Sequence, residues 1–276
     1  MLKNNYHTHM KYCNHAIGDV KDYVNKAIEL GFDELGMTDH APTPDGALSN
    51  EELLENKSYR YMNKGMFILY LNQIREQQIL NQDKIKIYSG FETEYIEGYL
   101  DHYKFLKSKV DYLNLGMHFF KDHNGKIINS YRGVNYDNVL DYANNIIKGI
   151  ETNLYNCVVH PDLYLYNYKG KDGKKSFDDH AKLAAKMIIE AAIKNNVYVE
   201  VNCNGIWKAE WLDDEDSWPY PNKDFWAFAA KYKDLKIIVG ADAHDPERLG
   251  SKNIDSIYRF IDKLGLKDHW GKDGNC

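Results

Sequence analysis

Two periods alternate along this chain. Short apolar runs of strand length are separated by longer segments whose apolar residues recur every three or four positions. The short runs predict strands over 3–9, 32–38, 85–88, 111–117, 155–159, 197–201 and 235–239. Between the first two lie Val20, Val24, Ala27 and Ile28 at helical spacing, with Asp19 placed to cap the helix and Gly31 to stop it. Further helices are predicted over 61–80, 97–108, 136–147, 178–194, 223–231 and 254–264. The Pro-rich polar stretch from Ala41 to about Asn56 has the composition of a long loop, and a glycine-containing loop follows the fourth strand. No linker-like break or internal repeat interrupts the alternation, so residues 1–276 are expected to form a single domain built on a parallel sheet.

What ends each strand narrows the architecture. His7, His9, His40, Glu92, His118, His160, Asp242 and His244 each fall at or just past the C-terminal end of a predicted strand. Those ends converge on one face in a (β/α) barrel, whereas an open sheet would spread them along a line. A seven-stranded barrel is therefore expected. Spacing adds to this: His7/His9, Glu92/Glu94 and Asp242/His244 are each two apart, which puts both side chains on one face of a strand. His15 lies in a loop just behind His9 and can complete a ligand set. Asp39, next to His40, suits a carboxylate that orients a metal-binding imidazole. Pro161 biases His160 towards an extended backbone. His102, His123, His180 and His269 read as structural or surface residues, and Cys13 as a small loop residue.

Imidazole and carboxylate are the side chains that bind zinc and similar ions, and nine candidates (His7, His9, His15, His40, Glu92, His118, His160, Asp242 and His244) exceed the four that one zinc site needs. Two or three metals are implied, with Glu92 as the natural bridge. Clustered divalent ions bind phosphate oxygens and activate water, the machinery of phosphoester hydrolysis. Composition agrees. With 35 basic against 41 acidic residues, a net charge of −6 argues against a nucleic-acid surface, and an anionic substrate would draw its positive charge from metal. Four cysteines without CxxC spacing fit a reducing cytoplasmic setting. No apolar leader and no membrane-length apolar run is present, so no membrane association is expected. Oligomeric state is not readable.

Together, His7-Thr8-His9, His15, Thr38-Asp39-His40, Gly90-Phe91-Glu92, Gly116-Met117-His118, His160-Pro161-Asp162 and Gly240-Ala241-Asp242-Ala243-His244 resemble the polymerase and histidinol phosphatase (PHP) family. Within it, Val199-Glu200-Val201-Asn202, Gly205, Pro219-Tyr220-Pro221 and the run from Asp242 to Gly250 are similar to the stand-alone histidinol-phosphate phosphatases. The resemblance implies a distorted (β/α)7 TIM-like barrel and three divalent metal ions, zinc foremost, with manganese or iron as alternatives. One ion would take His7, His9, Glu92 and Asp242; a second Glu92, His118 and His160; a third His15, His40 and His244. The implied reaction is hydrolysis of L-histidinol phosphate to L-histidinol and phosphate by a metal-bridging hydroxide, as a step of histidine biosynthesis. The alternative is another phosphate ester, or a nucleotide or nuclease substrate. Asp242, or a histidine such as His244, would handle the proton and Asp39 would act behind the ligands. Arg132 and Arg248 are candidate phosphate contacts, and the loop carrying Trp207, Trp211 and Trp218 a candidate cover for the substrate imidazole.

Overall fold

Helices begin where the chain supplies an acceptor for their first free N–H groups. Asp19 accepts from the amides of Lys21 and Asp22, and the Asp22 carboxylate accepts from the amide of Asp19 in return, a reciprocal cap for α1 (Val20–Glu29). Asn63 accepts from Met66 to start α2 (Lys64–Leu80), and Asp178 from Ala181 to start α5 (Asp179–Lys194). Helices α3 (Leu100–Lys107), α4 (Val139–Glu151), α6 (Asn204–Lys208), α7 (Lys223–Ala229) and α8 (Lys252–Lys263) complete the set. These come from a computed structural model that describes residues 3–48, 62–208 and 218–269.

Seven strands make one sheet: β1 (Asn4–Asn5), β2 (Glu34–Met37), β3 (Lys86–Thr93), β4 (Tyr112–Gly116), β7 (Cys157–Val159), β8 (Tyr198–Asn202) and β9 (Ile237–Gly240), hydrogen-bonded in that order. The order follows the chain, and the registered pairs β1–β2, β2–β3 and β7–β8 are parallel, as crossover helices between neighbours require. A parallel bridge from Thr8 to Ala243 brings the segment after β9 beside the one after β1, so the ring of seven strands nearly closes. The seven strands and the helices after them stand where the hydrophobic pattern put them. Two features were missed: the short helix α6, in what reads as a Trp-bearing loop, and an antiparallel hairpin of β5 (Phe119–Lys121) and β6 (Ile127–Asn129), in what reads as a glycine-containing loop. Asn124-Gly125 supplies its turn, with Gly125 at φ +79° and the Asp122 carboxylate accepting from the amides of Asn124 and Lys126.

The chain divides into two compact units. The first comprises residues up to Thr93, Tyr99–Asn114 and Gly240–Asp255. In it, Tyr112 Oη and Asn114 Nδ2 both donate to the Tyr6 carbonyl at 2.9 Å, and Asn5, fully buried, accepts from the Ala241 amide at 2.8 Å. Gly36 is obligatory, since a Cβ there would lie 1.9 Å from Tyr112 Oη. The second unit comprises Glu94–Gly98, Leu115–Val239 and the remainder from Ser256. Its core holds Cys157, Val159 and Ile238, with the buried faces of α4 and α5 contributing Ile146, Ile150, Ile188 and Ile189. Among the described residues no helix is long and apolar enough to cross a membrane.

Candidate metal centre

Four ligand-type atoms of the first unit meet within a few ångströms. His9 Nε2 lies 3.1 Å from His7 Nε2, 3.2 Å from Glu92 Oε2 and 3.1 Å from Asp242 Oδ1. His7 Nε2 stands 3.5 Å from that Glu92 oxygen and 3.7 Å from that Asp242 oxygen. All four residues are buried. Ligands about 2.0–2.2 Å from one tetrahedral ion stand about 3.3–3.6 Å apart, so the observed spacing is that of a coordination shell. The donor chemistry agrees: an imidazole nitrogen carries at most one proton, which cannot satisfy three acceptor-type atoms at once, whereas a cation can.

His15 and His244 make the same point through their tautomers. His15 Nδ1 faces the Cys13 carbonyl at 2.9 Å and His244 Nδ1 the Asp242 carbonyl at 3.0 Å. Carbonyls only accept, so both Nδ1 atoms donate, and each neutral ring keeps its lone pair on Nε2. Those two Nε2 atoms face each other at 3.0 Å. Two lone pairs at that distance repel unless a cation joins them. The His40 ring lies 5.2 Å from that of His15 and 4.3 Å from that of His9, with Nδ1 3.2 Å from Glu92 Oε2. Behind them, Asp39 is wholly buried and accepts from the amides of Met10 and His40, with one oxygen 3.7 Å from His9 Nδ1. Tyr70 accepts from the Asp39 amide at 3.2 Å and donates to the Gly90 carbonyl at 2.9 Å, tying α2 to the site.

The local electrostatics favour a positive charge where these atoms converge. Burial opposes a protonated His9, but hydrogen bonds to Asp242, Asp39, Cys13 and Glu92 outweigh it and hold its pKa well above the ordinary value. Burial would raise Asp242, yet His7, His9 and His244 hold it well below the usual carboxylate range. His244 is pushed well below the ordinary histidine value by burial and by the charge on His9.

The second unit carries His118 and His160, with ring centroids 4.8 Å apart. Glu94 Oε1 accepts from His118 Nδ1 at 2.9 Å, which places the lone pair of the neutral ring on Nε2. His160 departs from expectation. Its φ is +33°, not extended, despite the following proline. The turn is fixed by its amide, which donates to the buried carboxylate of Glu200 at 3.0 Å, while Asn202 donates to the same oxygen at 2.7 Å. Tertiary hydrogen bonds outweigh the local bias. Asp242, at φ +45°, is the other ligand candidate in this region of backbone space, where strain concentrates at functional sites.

Glu94 and Glu200 were not read as partners of the histidines. Each had a signal: Glu94 repeats the two-residue spacing after Glu92, and Glu200 interrupts an apolar strand, where a carboxylate requires a partner. Arg132 is exposed in the turn after β6, and Arg248 is half-buried in a 3₁₀ turn (Pro246–Gly250). Trp218 is buried, its ring packed against Phe260 with centroids 5.8 Å apart. Trp211 lies outside the described residues, as does the second half of the loop predicted from Ala41 to about Asn56.

Comparison with known proteins agrees with this geometry. The model of the PHP domain matches residues 5–204. A histidinol-phosphatase of Bacillus subtilis is 21% identical over 91% of this chain and 96% of its own length. A probable histidinol-phosphatase of Schizosaccharomyces pombe is 23% identical, covering 98% and 90%. A solved histidinol phosphate phosphatase from Lactococcus lactis, complexed with zinc, L-histidinol and phosphate, superposes with a TM-score of 0.65 at 19% identity, covering 98% of this chain and 95% of that one. A Listeria monocytogenes structure described as a candidate histidinol phosphatase gives 0.68 at 19% identity, covering 92% and 99%. The shared fold is the distorted (β/α)7 barrel.

Proposed function

The chain belongs to the PHP family, and on that premise we propose that it is a metal-dependent phosphomonoesterase that hydrolyses L-histidinol phosphate to L-histidinol and phosphate. The observation that carries the chemistry is the convergence of His7, His9, Glu92 and Asp242 at coordination spacing. The substrate follows from relatives of matching length that are histidinol-phosphatases.

In this reading His7, His9, Glu92 and Asp242 hold one ion and His15, His40 and His244 another, while His118 and His160 of the second unit are ligands of a third. Zinc suits the imidazole-rich donor set, and manganese or iron would be accepted by the same atoms. Bound divalent ions supply Lewis acidity, drawing charge from the phosphate oxygens and making water acidic enough to attack at neutral pH. The protein's own contribution is orientation. The carbonyls of Cys13 and Asp242 and the carboxylate of Glu94 fix which nitrogen of His15, His244 and His118 is offered. Asp39 holds His9 and His40 through side chain and backbone together. Asp242, held in its ionised form, is a poor acid, and His244 is held neutral with Nδ1–H on the Asp242 carbonyl and Nε2 offered to a metal, so proton donation to the leaving alkoxide belongs to solvent or to a group outside this ligand set. The whole chain, 1–276, acts as one catalytic domain in the cytoplasm.

The test is phosphate release from L-histidinol phosphate beside a panel of other phosphate esters, with metal content measured on the same sample. Strong preference for L-histidinol phosphate, abolished by chelator and restored by zinc, is expected. Metal-dependent activity spread evenly over the panel would discard the substrate, and no turnover by fully metallated protein would overturn the hydrolase reading.

A further inference from the structure

The β5–β6 hairpin of the second unit sets a serine opposite a candidate ligand. Its register pairs Phe119 with Asn129, Phe120 with Ile128 and Lys121 with Ile127. One step further along, the Ser130 amide donates to the His118 carbonyl at 2.8 Å, so these two residues face each other across the ladder. Directly opposite residues put their side chains on one face, with Cβ atoms about 5 Å apart. The turn that follows holds Ser130 from its other side. Asn129 Oδ1 accepts from the Tyr131 amide at 2.9 Å, and the Tyr131 ring stacks on His118 at 6.1 Å with 15° between planes. Ser130 is 1% exposed, and its hydroxyl has no hydrogen-bond partner among the described residues. Phe119 and Phe120 on the facing strand are buried, and in such surroundings an alanine would fill the position with no polar atom to satisfy.

We propose that Ser130 is a phosphate-contact residue, its hydroxyl donating to a phosphate oxygen of the ester bound beside His118. This rests on the phosphomonoesterase reading. A buried hydroxyl without a partner costs free energy, and folding alone does not recover it. Placed beside a candidate ligand, it calls for a partner that arrives with the substrate. The neighbour's chemistry says which kind. His118 gives its Nδ1–H to Glu94 and keeps its lone pair on Nε2, the atom it offers to a cation. Groups that gather at a cation are acceptors, and a hydroxyl beside them supplies the one proton they lack. A phosphate brings several such oxygens and takes a short, charge-assisted bond from a hydroxyl, whereas the substrate's ammonium is repelled by a cation. The amide bonds on either side, from Ser130 to His118 and from Tyr131 to Asn129, hold the serine in place before any ligand binds.

The experiment compares wild type, Ser130→Ala and Ser130→Thr. Thermal scans of the chelated proteins read the fold, and calorimetry reads inorganic phosphate binding to the zinc-loaded proteins, with zinc content measured. Both kcat and KM are taken on L-histidinol phosphate and on a phosphate ester lacking an amine. Chelated Ser130→Ala should melt at or up to about 2 °C above wild type, because a methyl group replaces a hydroxyl that has no partner in the fold. Loss of one hydrogen bond to a charged acceptor predicts phosphate binding weaker by about tenfold in Ser130→Ala, with KM raised by a similar factor for both esters. Ser130→Thr keeps the hydroxyl and should bind phosphate more tightly than Ser130→Ala. Unchanged phosphate binding in Ser130→Ala would overturn the proposal, as would a loss that only follows lost zinc. A lowered Tm in Ser130→Ala would assign the hydroxyl to a bond within the fold, equal losses in both variants would assign the effect to packing, and an effect confined to the amine-bearing ester would assign it to the amine; each would overturn the proposal too. Phosphate binding is read without turnover, so failure of the hydrolase reading would show separately, as wild type that binds phosphate and releases none.

Discussion

Tyr70→Phe is a one-atom change that tests how the site is anchored. The ring is fully buried, 5.2 Å from Phe91 and 5.6 Å from Tyr12, and phenylalanine preserves that packing. What disappears is the hydroxyl that accepts from the Asp39 amide at 3.2 Å and donates to the Gly90 carbonyl at 2.9 Å. Each group is left in a buried setting, at about 1–1.5 kcal/mol apiece, so a loss of about 2–3 kcal/mol is expected. At about 2.1 cal/mol/K per residue, unfolding 276 residues carries an entropy of about 0.6 kcal/mol/K, which converts that loss into a Tm lower by about 3–5 °C. Thermal scans with chelator present isolate this from metal binding. A second readout follows from Asp39, whose backbone Tyr70 pins: metal affinity, titrated in competition with a coloured chelator, should fall severalfold. A Tm within 1 °C of wild type, together with unchanged metal affinity, would refute the assignment of Tyr70 as an anchor of Asp39.

Other outcomes follow from the same geometry. Glu94→Gln replaces the carboxylate that fixes His118 Nδ1–H, and metal affinity should drop about tenfold to a hundredfold in a competition titration with the fold intact. Asp162 is raised by burial from 3.8 to about 7. Because its folded pKa is the higher one, the stability it contributes is complete below pH 4 and is lost as pH rises to about 7, a swing of about 4 kcal/mol. Urea unfolding of chelated protein should therefore show wild type losing about 3 kcal/mol more than Asp162→Asn between pH 5 and pH 8; parallel curves would sink the idea. His9, held above the ordinary histidine value, must release its proton before it can bind a metal, so zinc affinity should climb with pH through neutrality, and less steeply in Asp242→Asn, where a partner that raises it is weakened.

Much of the site was legible because its ligands obey local rules. The two-residue spacing of His7/His9 and of Asp242/His244 marked both pairs, although each lies just past its strand end and Asp242, at φ +45°, is not in strand backbone. The placement of His40, His118 and His160 after apolar runs needs only the alternation of strand and helix. The proline after His160 misled, because a local steric bias yields to a buried amide–carboxylate bond to Glu200, 40 residues away. Glu94 was visible as a repeat of Glu92, but its pairing with His118 was not, since that depends on how β3 runs on past Thr93.

The sequence by itself determined the elements and the ligand inventory, because periodicity, capping residues and spacing of two act over a few residues. Only the tertiary structure decided which nitrogen His15, His244 and His118 offer and which carboxylates stand behind the ligands. Those are questions of distance between chain segments far apart in order. An imidazole's tautomer is set by the partner it meets in space, and no local pattern encodes that partner.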